Sequence, residues 1–326
     1  MLVPRALHVD PRVDVVVNRR AKKLVHEGRI LNALRSAVAT ATSSATLHET
    51  RSLGDLEAVV ATIAARGTDT VILAGGDGSY MAGTTALHHA FGAKLPQLAF
   101  APGGTVSTVA RNWGLRGDEA SYARRLVLQS VSGTAATSTH PTLCVRDDRG
   151  GDRVGFIFGA GLIARFFDAY YAAEAQGYAG AALLVARIFA GTFTRGELAT
   201  RVLTPSACRL EVDGAQQASP VWNLIAASVV GDLGLHMRLL YRAAERSDRF
   251  HVVASSLPAR GLSPQVWRVL AGRRLAGEGH VDTLASRVTL EGAGHYVLDG
   301  ECIEAGRVTV TPGPVLSYVS ATDAPG

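Results

Sequence analysis

The first part of the chain alternates between short apolar runs and a clearly amphipathic segment. Continuous apolar runs at Val13–Asn18, Thr70–Ala74 and Gln97–Ala101 have the length of strands that are buried on both faces. Between the first two runs, apolar residues recur at the spacing of a helix with one apolar face: Leu56, Val59, Val60, Ile63 and Ala64. Strands that alternate with helices favour parallel pairing with right-handed crossovers. We therefore predict an α/β domain with a doubly wound, mostly parallel sheet over residues 12–138.

The pattern changes in the second part of the chain, where longer strand-like runs follow one another with turns between them. Examples are "CRLEVDG", "WNLIAASVV", "RFHVVASS" and "HYVLDGE". Because few helical segments separate these runs, they favour antiparallel pairing. We predict a mostly antiparallel β domain over residues 139–320, with a last strand that can return to the first domain.

Composition and charge narrow the class of protein. The 326 residues are 47% hydrophobic and 19% charged, which favours two folded domains. The net charge of +5 suits phosphates or anionic lipid headgroups, whereas no nucleic-acid-binding motif is present. Three scattered cysteines give neither metal-type spacing nor a disulfide framework, and no apolar run reaches the roughly 18 residues of a spanning helix. These features predict a cytoplasmic location.

Two glycine clusters follow predicted strands. "GGDGS" comes directly after the second apolar run, and "PGGTVSTVAR" directly after the third. In a doubly wound sheet both clusters lie at the carboxyl ends of strands, where ligands bind. Glycine allows a close approach of the backbone, and the start of the following helix offers free N–H groups to phosphates. Neither cluster has the lysine of the P-loop, so the pattern predicts a nucleotide site of another kind.

These motifs together resemble the diacylglycerol kinase catalytic family, the soluble lipid kinases that include sphingosine and ceramide kinases and are distantly related to NAD kinases. "VVVNRRAKKL" is similar to the family's first strand and turn, although Arg19 stands where proline is usual. "HETRS", "GGDGS" and "PGGTVSTVAR" follow in the family's order, and "YVLDGECIE" resembles its Asp-Gly-Glu motif. The order and spacing of the motifs carry the resemblance over most of the chain.

The resemblance implies an ATP-dependent kinase that phosphorylates a primary hydroxyl of a membrane lipid, with Mg²⁺ or another divalent ion such as Ca²⁺. Its implied partners are ATP, a lipid acceptor and, transiently, an anionic membrane surface, so that the protein is peripheral on the inner membrane; a homodimer is allowed. Diacylglycerol, ceramide and sphingoid bases all fit as acceptors. The implied nucleotide contacts are Asn18, Thr50, Gly75, Gly76, Asp77, Gly78, Ser79, Gly103, Gly104 and Thr105.

The resemblance also implies catalytic and metal-binding carboxylates. In a strand, Asp299 and Glu301 would project to one face, with one acting as general base and the other orienting it. Asp77 would hold the metal ion of the nucleotide, or itself be the base. Asp248 is the candidate for a structural cation, although Arg249 replaces the family's usual glycine.

Several family positions differ in this chain. Met81 and Ala82 stand where Asn-Glu is usual, and Ser107 and Thr108 where Asn-Asp is usual. In "FGAGLIARFF" another family carboxylate is absent. These differences leave a catalytically silent lipid or nucleotide sensor as one alternative. A second alternative, an NAD-kinase-like enzyme, is disfavoured by the apolar and aromatic residues of the second domain.

Two segments have competing interpretations. "GAGLIA" at 159–164 resembles the Gly-x-Gly-x-x-Ala loop of dinucleotide-binding enzymes, but the acidic residue expected about 20 positions later is missing. The aromatic, alanine-rich stretch at 165–189 favours core helices packed on the sheet, with an acyl-chain wall as the alternative.

Overall fold

The computed structural model describes residues 11–26, 28–172 and 204–322, together with isolated positions between 180 and 202. Most of the stretch at 165–189 for which the sequence favours core helices therefore lies outside the described residues, beyond Ala172. Within the described part of the chain, no helix is both long and apolar enough to cross a membrane.

The first domain is built on a six-stranded sheet with the order β2-β1-β3-β4-β20-β5. Strands β1 to β4 pair in parallel, and β20 pairs in parallel with β4 but antiparallel with β5. The last strand of the chain thus lies in the first sheet. The strands are β1 (Val13–Asn18), β2 (Ala45–Thr50), β3 (Thr70–Gly75), β4 (Gln97–Pro102), β5 (Ala136–His140) and β20 (Leu316–Ser320).

Helices connect the parallel strands, as the alternation of patterns predicts. The helix between β2 and β3 begins after Ser52, whose hydroxyl accepts the N–H of Asp55, and ends at Gly67 in the left-handed conformation. Its buried side includes Leu56, Val60 and Ile63, so the predicted apolar face is confirmed. The helices are α1 (Lys22–His26), α2 (Arg29–Thr40), α3 (Leu53–Arg66), α4 (Asp77–Phe91), α5 (Thr108–Asn112) and α6 (Glu119–Val131).

The second domain consists of antiparallel sheets, and the predicted fold class is confirmed. One six-stranded sheet has the order β11-β10-β16-β19-β6-β7, another the order β15-β14-β13-β8-β17-β18, and β9 pairs with β12. The strands are β6 (Leu143–Asp147), β7 (Asp152–Gly155), β8 (Ile157–Gly161), β9 (Ser206–Ala207), β10 (Arg209–Val212), β11 (Ala215–Gln216), β12 (Val221–Trp222), β13 (Leu224–Ser228), β14 (Phe250–Ser255), β15 (His280–Ala285), β16 (Val288–Glu291), β17 (His295–Leu298), β18 (Glu301–Glu304) and β19 (Arg307–Pro312).

Short helices cover the second of these sheets. They are α7 (Leu162–Ala172), α8 (Ala259–Leu262) and α9 (Val266–Leu270), with a 3₁₀ turn at Ser263–Gln265 between the last two.

An aromatic cluster joins the two domains. Phe100 on β4 contacts Phe156, which links β7 to β8, with ring centroids 5.6 Å apart. Trp113 packs against Phe156 and against Tyr318 of β20, in each case with a centroid distance of 5.1 Å. Phe100, Phe156 and Tyr318 are fully buried. The cluster therefore fixes the returning strand and the start of β8 against the parallel sheet.

Truncation of Tyr318 tests this junction. We expect Tyr318→Ala to lower the free energy of unfolding by about 3–5 kcal/mol, because a fully buried aromatic side chain leaves a cavity between three elements. Urea denaturation monitored by circular dichroism measures the change. Val315→Ala is the matched control: its side chain, just before the same strand, is 52% exposed, and the change should stay within about 0.5 kcal/mol. Equal stabilities for the two variants would contradict this role of the cluster.

Candidate active site

The two glycine loops lie side by side at the carboxyl ends of β3 and β4. The N–H of Gly104 donates to the carbonyl of Gly75 at 2.9 Å. A Cβ atom on Gly104 would fall closer than 3.0 Å to the Cα atom of Gly76, where only backbone is present. Because backbone cannot move aside like the end of a flexible side chain, the close contact of the loops requires glycine at position 104.

Gly75 and Gly103 do not face the cavity that the other loop residues line. A Cβ on Gly75 would collide with the side chain of Ser79, and one on Gly103 would lie 2.7 Å from the side chain of Leu24. Packing behind the loops therefore explains these two glycines, for which the sequence pattern predicted close approach of a ligand. Asn18 also braces the site, because its amide donates to the Ser79 hydroxyl at 2.8 Å.

Asp77 joins the loops through hydrogen bonds. It is the first residue of α4, and its carboxylate accepts the backbone N–H groups of Thr108 and Val109, each at 2.9 Å. Asp77 thus caps the start of α5 from the neighbouring loop. Burial raises the pKa of Asp77 above its usual value, while the N–H groups of Val109 and Thr108 oppose the shift.

The sequence pattern predicts that Asp299 and Glu301 project to one face of a strand. In the structure they do not. Asp299 and Gly300 form the two-residue turn between β17 and β18, with φ angles of 50° and 90°. Leu298 and Glu301 are paired across this turn. Asp-Gly is a favoured dipeptide for such hairpin turns because both central residues need positive φ. The strand interpretation was wrong because it ignored this turn chemistry.

The turn directs the two carboxylates to different places. Asp299 is buried, and its two oxygens accept the N–H groups of Phe156 and Ile157, each at 2.9 Å. Glu301 is exposed and reaches the first domain: a Cβ on Gly78 would lie 2.6 Å from its Oε1 atom. The third glycine of the first loop therefore makes room for a carboxylate of the second domain.

The buried carboxylates of the two domains influence each other. Burial and the charge of Asp77 raise the pKa of Asp299 well above its usual range, and the N–H groups of Phe156 and Ile157 only partly offset this. A carboxyl group with a raised pKa, buried in a cleft, is typical of functional sites.

Helix α7 supports the acidic turn, and sequence reasoning missed this contact. The hydroxyl of Tyr171 donates to the carbonyl of Gly300 at 2.7 Å. Burial and the charge of Glu301 raise the pKa of Tyr171 to about 12, so its proton stays available for this bond. Tyr171 and Gly300 are 129 residues apart in the sequence, so no local sequence pattern indicates this hydrogen bond.

One cavity of about 980 Å³ joins the loops, the acidic turn and an apolar wall. Most of the sequence-predicted nucleotide contacts line it: Asn18, Thr50, Gly76, Asp77, Gly78, Ser79, Gly104 and Thr105. Asp299, Gly300 and Glu301 line it from the second domain. The apolar and aromatic wall includes Leu162, Ile163, Phe166, Phe167, Tyr170, Leu224, Leu233, Leu235, Met237, Leu239, Leu262, Val266, Val269 and Leu275.

Asp248 is not brought to this cavity. Its carboxylate is paired with the guanidinium of Arg246 through two hydrogen bonds of 2.8 Å on the protein surface. Across the described part of the chain, no group of three or more His, Cys, Asp or Glu side chains is arranged to hold a metal ion. Because the positive charge of Arg246 already pairs with this carboxylate and would repel a second cation, Asp248 is poorly placed as a cation ligand.

The Gly-x-Gly-x-x-Ala segment is not a dinucleotide-binding loop. Its first glycines belong to β8, which pairs antiparallel with β13 and β17, instead of starting a parallel βαβ unit. A Cβ on Gly159 would collide with Ile163, and one on Gly161 would lie 2.5 Å from the carbonyl oxygen of Asn223. Close packing of α7 on its own strand explains Gly159, and the close approach of the Asn223 backbone explains Gly161.

Comparison with known proteins supports the resemblance. Residues 12–138 match the family model of the diacylglycerol kinase catalytic domain, which confirms the resemblance over that segment. A diacylglycerol kinase structure from Bacillus anthracis strain Sterne is similar, with a TM-score of 0.65 at 14% identity, over 96% of this chain and 97% of that chain. A second structure from that strain, assigned to the same activity, has a TM-score of 0.67 at 15% identity, over 98% of both chains. At such identities the likeness shows the fold. No curated protein sequence matches the chain.

The raised pKa of Asp299 predicts a pH dependence that an isosteric variant isolates. A carboxyl group whose pKa is raised in the folded state stabilises the fold while it is protonated. This contribution is complete at pH values below the pKa of the unfolded state, about 3.8, and is lost as the pH rises through the pKa of the folded state. We therefore expect the stability of the wild type, relative to Asp299→Asn, to fall as the pH rises above that value. Urea denaturation at a series of pH values measures this difference. A difference that stays constant or grows with pH would contradict a raised pKa.

Proposed function

We propose that this protein is an ATP-dependent lipid kinase that transfers the γ-phosphoryl group to a primary hydroxyl of an amphiphilic lipid. The observation that carries the proposal is the continuity of the cavity, which runs from the glycine loops past Asp299 and Glu301 to an apolar and aromatic wall. The cavity suits two substrates: its glycine-loop end suits a phosphoryl donor, its apolar end suits a lipid acceptor, and a carboxylate lies between the two ends. The family match over residues 12–138 supports the same assignment.

The nucleotide end uses backbone groups and the start of a long helix. Gly76 is the N-cap of α4, a 15-residue helix, and the N–H groups at its start offer hydrogen bonds and a favourable dipole to phosphates. Asn18 and Thr50, at the ends of β1 and β2, border the same end of the cavity and are placed to contact the nucleotide.

Asp77 is the residue that would hold a magnesium ion. Mg²⁺ at a nucleotide is commonly bound by one or two carboxylates together with the phosphates, so a dense acidic cluster is unnecessary. Each oxygen of Asp77 accepts one backbone N–H, which leaves a second lone pair on each. When bound, the ion neutralises negative charge on the phosphates.

The acceptor end favours an apolar substrate. Its wall is formed by α7, by the residues from Leu224 to Leu239 and by the α8–α9 segment, and it consists mainly of leucine, valine and aromatic side chains. A polar acceptor such as a dinucleotide would leave its own hydrogen-bonding groups unpaired against this wall. Diacylglycerol, ceramide and sphingoid bases each combine a primary hydroxyl with hydrocarbon chains that suit this apolar wall.

Asp299 is our choice of general base, with Glu301 placed beside the start of α4. A raised pKa brings a carboxylate closer to the pH at which it must accept a proton, and the Phe156 and Ile157 N–H groups fix its orientation. Tyr171 acts as a positioning residue, because its hydroxyl holds the turn that carries both acids.

Substitution in the second loop tests the nucleotide site. We expect Gly104→Val to abolish measurable ATP binding, because its side chain would force the loop away from the backbone of Gly76. Isothermal titration calorimetry gives the affinity, and circular dichroism checks that the fold persists. Gly54→Ala on α3 is the control, since the nearest atom to a Cβ there is 3.9 Å away. ATP binding by Gly104→Val at the wild-type affinity would place the nucleotide elsewhere.

Substitution of the carboxylates tests the chemistry. We expect Asp299→Asn to lower kcat by about 10²–10⁴-fold while ATP still binds, because general-base assistance is lost. Glu301→Gln should also lower kcat, because it removes the carboxylate that lies against Gly78 at the start of α4. Labelled ATP with a panel of lipid micelles provides the assay. Glu304→Gln is the matched control, because this exposed residue lies at the far end of β18 and pairs with Arg149. If both active-site variants react at rates near that of the wild type, Asp77 becomes the candidate general base. If the wild type itself phosphorylates no lipid, a catalytically silent binding protein is favoured.

A further inference from the structure

We infer that the segment from Leu257 to Gly277 is a docking surface for an anionic lipid bilayer. We call it the docking segment; it contains α8, the 3₁₀ turn and α9. The inference rests on the proposed function, because it takes the acceptor to be a lipid. It deepens that function by assigning membrane contact to a particular part of the fold.

The docking segment exposes large apolar side chains that nothing in the described structure covers. Trp267 is 52% exposed, Leu270 49% and Val266 38%. All three belong to α9, a helix with no buried residue, so they form one patch. Contiguous exposed apolar groups of this kind mark interaction surfaces, and tryptophan is favoured where water meets a membrane.

Basic residues flank the apolar patch in the sequence, and the nearest acid, Glu278, follows directly after the docking segment. The docking segment contains Arg260, Arg268, Arg273 and Arg274 but no aspartate or glutamate. Arg260, Arg273 and Arg274 are exposed, and the Arg268 guanidinium lies 5.1 Å from the centre of the Trp267 ring. The Nε atom of Arg274 lies 4.0 Å from a carboxylate oxygen of Asp282. Arginines around an apolar patch match an anionic headgroup layer above an acyl layer, which is why we assign a bilayer as the partner.

The other side of the same segment lines the cavity. Leu262, Ser263, Val266, Val269 and Leu275 belong to the cavity wall. Val266 belongs to α9 and to the cavity wall, so the exposed patch and the apolar end of the cavity share this residue. A lipid that leaves a bilayer at the patch would therefore reach the apolar end of the cavity without crossing open water.

A side-chain clamp gives the docking segment a defined shape. The amide of Gln265 bonds both backbone groups of Ala276, accepting its N–H at 2.6 Å and donating to its carbonyl at 3.0 Å. Arg268 adds a bond from its Nε to the carbonyl of Arg274 at 2.6 Å. The exposed patch is thus presented by a braced loop, and binding need not order it first.

Tryptophan fluorescence provides a direct test. The sequence has three tryptophans, and the structure describes all of them; Trp113 and Trp222 are buried. Vesicles of phosphatidylcholine mixed with phosphatidylglycerol should therefore shift the emission of the full chain to shorter wavelength, and brominated acyl chains should quench it. Trp267→Phe should lose both responses. No response in the wild type, or an unchanged response in Trp267→Phe, would overturn the inference.

Vesicle co-sedimentation tests the arginines. Binding should weaken about fivefold for each of Arg260→Gln and Arg273→Gln at low salt, since each removes a charge near an anionic surface. Arg209→Gln on β10 is the matched control, with a side chain that is 63% exposed, and should bind like the wild type. Leu270→Ser should also weaken binding, whereas Val315→Ser, at a comparably exposed position, should not. Equal losses in the controls would overturn the assignment to this segment.

Two further measurements separate this inference from other outcomes. With a short-chain acceptor dispersed in water, the docking variants should keep wild-type kinase rates and lose activity only on vesicles. Vesicle binding that depends on the docking segment, in a protein that phosphorylates no lipid, would support the docking surface and defeat the proposed function. If light scattering finds a dimer that Trp267→Phe dissociates, the patch belongs to a second copy and the inference fails.

Discussion

The close contact between the two glycine loops is the constraint on which the site depends. Strands β3 and β4 are neighbours in the sheet, so the chain must leave both strands at the same edge and turn into two separate helices. The Gly104–Gly75 hydrogen bond and the near contact of Gly104 with Gly76 leave no space for side chains between the loops. Asp77 then uses its carboxylate to cap α5, so the starts of two helices face the same cavity.

The second domain meets this edge with a matching arrangement. Asp299, like Asp77, is a buried carboxylate that accepts two backbone N–H groups. These bonds compensate each acid for the loss of water, but the two charges still disfavour each other, as the raised pKa of Asp299 indicates. Such an arrangement costs stability, and buried carboxyl groups with raised pKa values are common at functional sites.

Sequence patterns predicted the elements whose residues carry a local signal. The runs at β1, β3 and β4 are buried and apolar, and α3 has a regular apolar face, so each was visible. Strand β2, "ATLHET", was missed because it lies at the sheet edge and is largely polar. The packing role of Gly103 and the space that Gly78 makes for Glu301 depend on residues distant in sequence, so no pattern could indicate them.

The positions that depart from the family do not all have the same consequence. Ser107 and Thr108 replace polar residues, yet Asp77 bonds backbone N–H groups at Thr108 and Val109, which any side chain at these positions would leave in place. These two changes therefore do not by themselves argue for a silent protein. Ala82, Ser107 and Thr108 all line the cavity, and a carboxylate that the family usually has is absent at positions 82 and 108. A less charged wall favours a more apolar ligand, so under the proposed function positions 82 and 108 bear on which lipid the cavity accepts.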